Sequence, residues 1–148
     1  MNDNNYTVET STSFLKYEFY SEGPKGKIKK QVLFKAFSDN ANVYNLGFGD
    51  VGMDGEINDT IITNNKDSKK VLTTVATTVL TFFKQYPTAY VFATGSTLSR
   101  TRLYRISITS NLDHLQRDFI VYGFLNDNWN LFQKGVDYAA FLITQKKP

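Results

Sequence analysis

The sequence predicts an α+β fold with a single antiparallel-rich sheet and two main helices, in the order ββββ-α-β-α-ββ. Short segments with aromatic and β-branched residues are separated by turns rich in glycine, proline and asparagine, which is typical of antiparallel strands. One longer segment repeats its apolar residues at helical spacing. With 148 residues, of which 41% are hydrophobic, the chain is long enough for one domain with its own core. We expect that domain to span residues 1–148, with residues 1–5 and 146–148 frayed.

Four strands are predicted in the first half of the chain. In the third of them, alternation places Tyr44, Leu46 and Phe48 on one face. Pro24 favours the turn between the first two strands, and residues 38–42 form the next hairpin loop. The predicted strands cover residues 14–20, 27–37, 43–48 and 56–63.

The clearest helix follows these strands. Its apolar residues recur at helical spacing and form one stripe: Val71, Leu72, Val75, Val79, Phe82 and Phe83. Asn65 or Asp67 caps its beginning, because a short polar side chain accepts hydrogen bonds from the free N–H groups of the first turn. Pro87 marks its end. The helix is rich in threonine, a mediocre helix former, so packing against the rest of the fold must support it.

Three further strands and a second helix are predicted after this point. The chain turns at Gly95 and Ser96, and the second helix begins at Ser96 or Thr97. The strands cover residues 88–93, 117–125 and 138–144, with a turn at 126–128. We expect the helices to cover the sheet.

Composition argues against several classes of protein. The chain has no cysteine and one histidine, His114, so it lacks the usual ligands of zinc, and we predict no metal or cofactor. The acidic residues Asp50, Asp54, Glu56 and Asp59 lie among glycines, and we interpret them as turn residues. The first residues lack the pattern of a signal peptide, and no apolar run approaches the ~20 residues that cross a bilayer. We therefore expect a cytoplasmic protein that does not engage a membrane.

The candidate functional residues lie between positions 95 and 105. This segment contains three of the four arginines of a chain whose formal charge is +3. Arginine and small hydroxyl side chains donate hydrogen bonds to phosphate or carboxylate oxygens, and a helix start adds backbone N–H groups. The predicted anion site consists of Gly95, Ser96, Ser99, Arg100, Arg102 and Arg105.

Helical geometry divides the three arginines of this segment. Arg102 and Arg105 are three positions apart and share a face, whereas Arg100 projects away from them. Leu103 and Ile106 would then face the core. A second interpretation stays open, in which the arginines form salt bridges with acidic loops of the same chain.

Trp129 is a separate candidate for a partner surface. It lies between two asparagines in a predicted polar turn, where an exposed indole often marks a surface that binds a partner or ligand. We therefore include association with a second copy, or with a small partner protein, among the expected interactions.

Four motifs resemble an uncharacterised family of small bacterial proteins that share a domain of unknown function. They are Tyr44–Asp50, Asn64–Asp67, Lys70–Ala76 and Gly95–Tyr104, and the resemblance extends over nearly the whole chain. It implies a bacterial protein with one domain and no assigned activity. At the level of fold, the order of strands and helices is similar to that of GNAT acyltransferases. That resemblance implies binding of acyl-coenzyme A by Arg102 and the entrance of the first helix, with Tyr104 as a general acid. The glycine-containing pyrophosphate loop of that family is absent from residues 64–70.

The leading functional hypothesis is a small binding or regulatory protein that engages an anionic partner, either RNA, a nucleotide or a phosphate ligand. Its size and charge suit one member of a toxin–antitoxin or defence pair. Two alternatives stay open. One is a degenerate GNAT-like acyltransferase, and the other is a homo-oligomeric interaction protein whose surface includes Trp129.

Overall fold

A computed structural model describes residues 5–37, 42–58 and 63–146 of the chain. The strands within them are β1 (Glu9–Thr10), β2 (Lys16–Gly23), β3 (Gly26–Ala36), β4 (Val43–Asp50), β5 (Tyr90–Ala93), β6 (Phe119–Leu125), β7 (Asn128–Leu131) and β8 (Ala140–Gln145). The helices are α1 (Ser68–Gln85), α2 (Leu98–Ser110) and α3 (Leu112–Asp118). The predicted α+β class is confirmed.

The eight strands of the described residues form one mixed sheet in the order β1-β2-β3-β4-β5-β8-β6-β7. β4 and β5 are parallel, because the segment between them contains a helix and returns the chain to the same direction. The pairs β1–β2, β2–β3, β5–β8, β6–β8 and β6–β7 are antiparallel. The antiparallel-rich character that the sequence predicts is therefore present.

The chain divides into two compact units. The first unit comprises Met1–Lys35 and Gly47–Gln85, and the second comprises Ala36–Leu46 and Tyr86–Pro148. β4 contributes residues to both units. The expected limits of the domain and its frayed ends stay predictions, because residues 1–4, 147 and 148 lie outside the described part of the chain.

The first unit buries one face of β2 and β3 and one side of α1. The rings of Phe34 in β3 and Phe82 in α1 stack with their centroids 4.3 Å apart. The stripe of α1 agrees with the prediction except at three positions: Thr74 and Thr78 are buried, and Leu72 is half-buried. Both buried hydroxyl groups donate to carbonyl groups of the preceding turn, so their burial leaves no donor unpaired.

The prediction of a strand at residues 56–63 is wrong for the residues of that range that the structure describes, 56–58 and 63. Glu56, Ile57 and Asn58 belong to no strand, and Ile57 forms only an isolated bridge with Val51. Gly52 and Glu56 close a tight turn through the bond from Gly52 N–H to the carbonyl of Glu56 at 2.8 Å, so the chain reverses before a strand can form. Residues 59–62, and most of the predicted loop at 38–42, lie outside the described residues.

The second unit contains a helix that the sequence did not predict. α3 follows α2 directly at Asn111 and buries Leu112 and Leu115. The Phe119 N–H bonds to the carbonyl of Leu115 and leads the chain into β6. Phe132 and Tyr138 lie between β7 and β8, and both rings contact the buried ring of Phe141 in β8.

Candidate functional site

The arginine-containing segment begins with a tight turn before α2. A Cβ atom on Gly95 would lie 2.4 Å from both Arg100 Cβ and the backbone nitrogen of Thr101, so this turn requires glycine. Thr97 caps the helix by accepting from the N–H of Arg100 at 3.2 Å. The helix therefore begins within one residue of its predicted start. The N–H of Gly95 donates to Thr101 Oγ1 at 3.0 Å and is already used inside the turn.

α2 directs Arg102 and Arg105 to the same side, as their spacing predicts. The prediction that Leu103 and Ile106 face the core is wrong, because Leu103 is half-buried and Ile106 is exposed. The buried side of α2 is instead partly polar, with Thr101, Tyr104, Ser107 and Ile108. Thr101 tolerates burial because its hydroxyl donates to the carbonyl of Thr97 and accepts from Gly95.

The two arginines line a cavity of about 460 Å³ between α2 and the segment at residues 137–139. We call this cavity the arginine groove. It is lined by Leu98, Thr101, Arg102, Arg105, Asp137, Tyr138 and Ala139. All of these residues belong to the second unit.

The arginines of the groove differ in their partners. Arg105 is half-buried and forms a hydrogen-bonded ion pair with the exposed carboxylate of Asp137. Arg102 is exposed, and the described residues provide it with no ion pair or side-chain hydrogen bond. The salt-bridge interpretation thus describes Arg105, and no carboxylate of the described residues neutralises the guanidinium of Arg102.

A glycine on a neighbouring strand positions the second wall of the groove. A Cβ atom on Gly123 in β6 would lie 2.3–2.5 Å from three ring atoms of Tyr138. The ring of Tyr138 therefore lies directly over Gly123, and its hydroxyl accepts from the N–H of Gln133 at 3.0 Å. Thr94 Oγ1 fixes the same segment by donating to the carbonyl of Ala139 at 2.8 Å. Sequence analysis missed these residues, and the one signal that could have indicated them was a glycine inside a strand.

The other predicted site residues lie around the groove and not in its lining. Ser96 and Ser99 are exposed in the first turn of the α2 region, and Arg100 is half-buried. Tyr104, which the acyltransferase resemblance implies as a general acid, is buried. The structure thus brings Arg102 and Arg105 together and sets Arg100 apart, as helical geometry predicts. The anion site itself stays a prediction.

Trp129 lies in a strand and not in the predicted polar turn. Asn126 and Asp127 form the turn, with φ angles of 53° and 62°, which suits a two-residue hairpin with both central residues in the left-handed region. β7 then pairs Trp129 with Phe124 of β6. The indole is exposed and contacts the rings of Phe92 and Phe124.

A second cavity, of about 560 Å³, lies in the first unit beside Tyr6. The Tyr6 hydroxyl donates to Asp67 Oδ2 at 2.6 Å and accepts from the N–H of Glu22 at 3.1 Å. Ser21 also donates to Asp67 Oδ2, at 2.5 Å. Lys70 places its ammonium group 4.3 Å from the centre of the Tyr6 ring. Tyr6 therefore ties the beginning of the described chain to the start of α1.

These contacts predict a loss of stability in alkaline solution. Burial, and next the hydrogen bond to Asp67, raise the pKa of Tyr6. An unfolded tyrosine ionises near pH 10, so the stabilisation from Tyr6 is complete below about pH 10 and is lost as the pH rises toward the raised value. We expect the free energy of unfolding to fall less between pH 9 and 11 in Tyr6→Phe than in the parent, measured by urea denaturation. Tyr20→Phe, at an exposed tyrosine, serves as control, and parallel curves for parent and Tyr6→Phe would contradict the prediction.

An ion pair is buried in the first unit. Lys30 is 1% exposed, and its Nζ atom donates to Asp50 Oδ1 at 2.6 Å and to the carbonyl of Thr63 at 2.9 Å. The second oxygen of Asp50 accepts from the N–H of Thr63 at 3.0 Å. Asp50 is therefore a partner of Lys30 in the core and not a turn residue. The described residues contain no cluster of three or more potential metal-binding side chains.

No helix among the described residues combines the length and apolar character needed to cross a bilayer.

Comparison with known proteins places the chain in a family. Neither curated proteins nor solved structures give a match, so the similarity to GNAT acyltransferases gains no support. A family model described as a family of unknown function, DUF6934, matches residues 2–146. This match covers almost the entire chain, and the chain therefore belongs to DUF6934, in agreement with the resemblance to an uncharacterised family.

Proposed function

We propose that this protein binds a phosphate-bearing ligand, either a nucleotide or a stretch of RNA, in the arginine groove. The observation that carries the proposal is the exposed guanidinium of Arg102, for which the described residues provide no carboxylate partner. A guanidinium group presents planar, paired N–H donors that match two phosphate oxygens. In a concave site such a group is partly shielded from water and binds an anion more strongly than on a flat surface.

Arg105 and Asp137 give this groove a defined shape. Their ion pair fixes the Arg105 side chain along the wall, and it cancels the charge of Arg105. Two arginines and one aspartate leave one net positive charge in the groove. A single net charge favours a ligand that presents one phosphate to Arg102 over a ligand that must be held at many phosphates. If the protein acts on RNA in a toxin–antitoxin or defence pair, we expect the groove to hold a single phosphate of that RNA.

Removal of Arg102 is expected to weaken binding of a labelled single-stranded RNA or of ATP by roughly 10–100-fold. A hydrogen bond to a charged group contributes about 1.5–3 kcal/mol, and a phosphate contact adds to the dependence of affinity on salt. For RNA, the logarithm of the association constant falls as the logarithm of the salt concentration rises, and we expect Arg102→Ala to make this slope less steep by about one. Fluorescence anisotropy for the RNA and calorimetry for ATP measure these changes and separate the two ligands.

Arg117→Ala is the matched control for this experiment. Arg117 is an exposed arginine of α3 outside the groove, so the substitution removes the same charge from the protein. Asp137→Asn tests the opposite direction, because it frees Arg105 and is expected to raise affinity severalfold. Equal losses in Arg102→Ala and Arg117→Ala, or no binding by the parent at low salt, would refute the proposal.

A further inference from the structure

The sheet of the second unit has one buried face and one largely apolar face that is partly open to solvent. Alternation in β5, β8 and β6 buries Val91, Phe141, Ile143 and Val121 on one face. The intervening residues share the other face, because the cross-strand pairs align Phe92 with Leu142, and Leu142 with Tyr122. We call this second face the aromatic face. Its exposed and half-buried apolar members are Phe37, Tyr90, Phe92, Ile120, Tyr122, Phe124, Trp129, Leu131 and Leu142.

The rings of the aromatic face form a continuous row. Phe37 contacts Phe92 with centroids 5.4 Å apart, and Phe92 contacts Trp129 at 6.2 Å. Trp129 in turn contacts Phe124 at 5.0 Å. Aromatic side chains that support each other in this way are already held in place and lose little freedom when a partner covers them.

The exposed part of this face is large for the surface of a monomer. Phe37 is 55% exposed, Leu131 64%, Trp129 41% and Tyr90 40%, and the remaining members are half-buried. With side-chain areas of about 200 Å² for aromatic residues, these fractions leave roughly 600 Å² of apolar surface in contact with water. That reaches the upper end of the largest patches on monomers, about 300–600 Å². It also approaches the ~800 Å² that each partner buries in a stable protein interface.

Among the described residues of the second unit, none of those that β5, β6, β7 and β8 place on the aromatic face is charged. The charged residues of the second unit that are described lie on helices, in turns or beyond strand ends: Arg100, Arg102, Arg105, Asp113, Arg117, Asp118, Asp127, Lys134, Asp137 and Lys146. A nucleic acid requires cations beside the rings that stack on its bases. A second copy of the same face requires none, and two uncharged faces meet without repulsion.

We propose that the aromatic face is the surface through which two copies of this chain associate. In a two-fold dimer the same patch lies on both sides of the interface, so Trp129 of each copy packs near the apolar residues of the other. Two sheets pack face to face at about 10 Å with their strands rotated by about 30°, and each supplies the apolar layer that the other lacks. This proposal does not depend on the arginine groove.

The test is the mass of the full chain in solution across a range of concentrations. Sedimentation velocity and light scattering from 1 to 200 µM are expected to give twice the chain mass of 16.9 kDa for the parent. Trp129→Asp and Tyr90→Asp place carboxylates within the proposed interface, where burial of an unpaired charge opposes association. Both variants are expected to sediment as monomers with an unchanged circular dichroism spectrum.

Met53→Asp is the matched control. Met53 is an exposed apolar residue outside the aromatic face, so the same chemical change there is expected to leave the dimer intact. Arg102→Ala is also expected to leave the mass unchanged, which keeps this test separate from that of the groove. A parent that stays monomeric at 200 µM, or Trp129→Asp and Tyr90→Asp variants that stay dimeric, would overturn the proposal. The proposal would also be overturned if the chain were a monomer whose aromatic face binds only a different protein.

Discussion

Replacement of Lys30 by methionine is expected to lower the free energy of unfolding by about 3–5 kcal/mol, because it leaves a buried carboxylate without its partner. Methionine fills the volume of the lysine side chain but cannot donate to Asp50 or to the carbonyl of Thr63. The loss is a large part of the ~5–15 kcal/mol that stabilises an ordinary domain. Urea denaturation followed by circular dichroism measures it.

Two further variants separate the ion pair from other effects of the substitution. Lys29→Met removes the neighbouring lysine, whose surface ion pair with Glu18 at 3.5 Å is expected to contribute at most about 1 kcal/mol. Lys30→Met combined with Asp50→Leu removes both charges and is expected to recover much of the stability, since burial of apolar side chains replaces a desolvated pair. A similar loss in Lys29→Met and Lys30→Met would show that the buried pair is not the cause.

Replacement of Gly123 by alanine is expected to cost about 1–3 kcal/mol of stability and to weaken ligand binding in the arginine groove. The new methyl group would lie 2.3–2.5 Å from the ring of Tyr138, so the ring and the attached segment must move. Asp137 and Ala139 belong to that segment and line the groove. Thermal denaturation measures the first effect, and the RNA or ATP titration measures the second.

Gly47→Ala is the matched control for this prediction. Gly47 also lies in a strand, but the nearest atoms to its added Cβ are 3.7 Å away, which is ordinary contact. We expect Gly47→Ala to be nearly neutral. In a double-mutant cycle, Gly123→Ala should cost little once Tyr138 has been replaced by alanine. Additive losses in that cycle would contradict the proposed steric cause.

The elements that sequence analysis predicted are those with a regular apolar pattern. The stripe on α1 matches the helical period, the buried residues of β2 and β5 alternate, and the buried apolar residues of β3, Val32 and Phe34, are two positions apart. β7 escaped prediction because it has only four residues and all of them are exposed, so the alternation of two asparagines with Trp129 and Leu131 is too short to be distinguished from a polar turn. α3 has only seven residues and buries just Leu112 and Leu115, too few for a helical period to be recognised.

The buried polar groups were also beyond a pattern-based prediction. Lys30 and Asp50 are twenty residues apart, and each alone resembles a surface or turn residue. Thr101 and Ser107 occupy the buried side of α2, where the sequence predicted Leu103 and Ile106. Hydrogen bonds to nearby backbone groups allow the Thr101 hydroxyl to be buried. Apolar spacing alone therefore placed the wrong side of this helix against the core.

The sequence by itself determined the fold class, the first two helices and the shared face of Arg102 and Arg105, because these depend on local spacing. Only the tertiary structure decided that Asp137 neutralises Arg105, since the two residues are 32 positions apart and meet through the placement of Tyr138 over Gly123. It also decided that Trp129 belongs to a row of rings on one sheet face. Both results depend on which strands become neighbours, and long-range pairing is not encoded in the periodicity of any one segment.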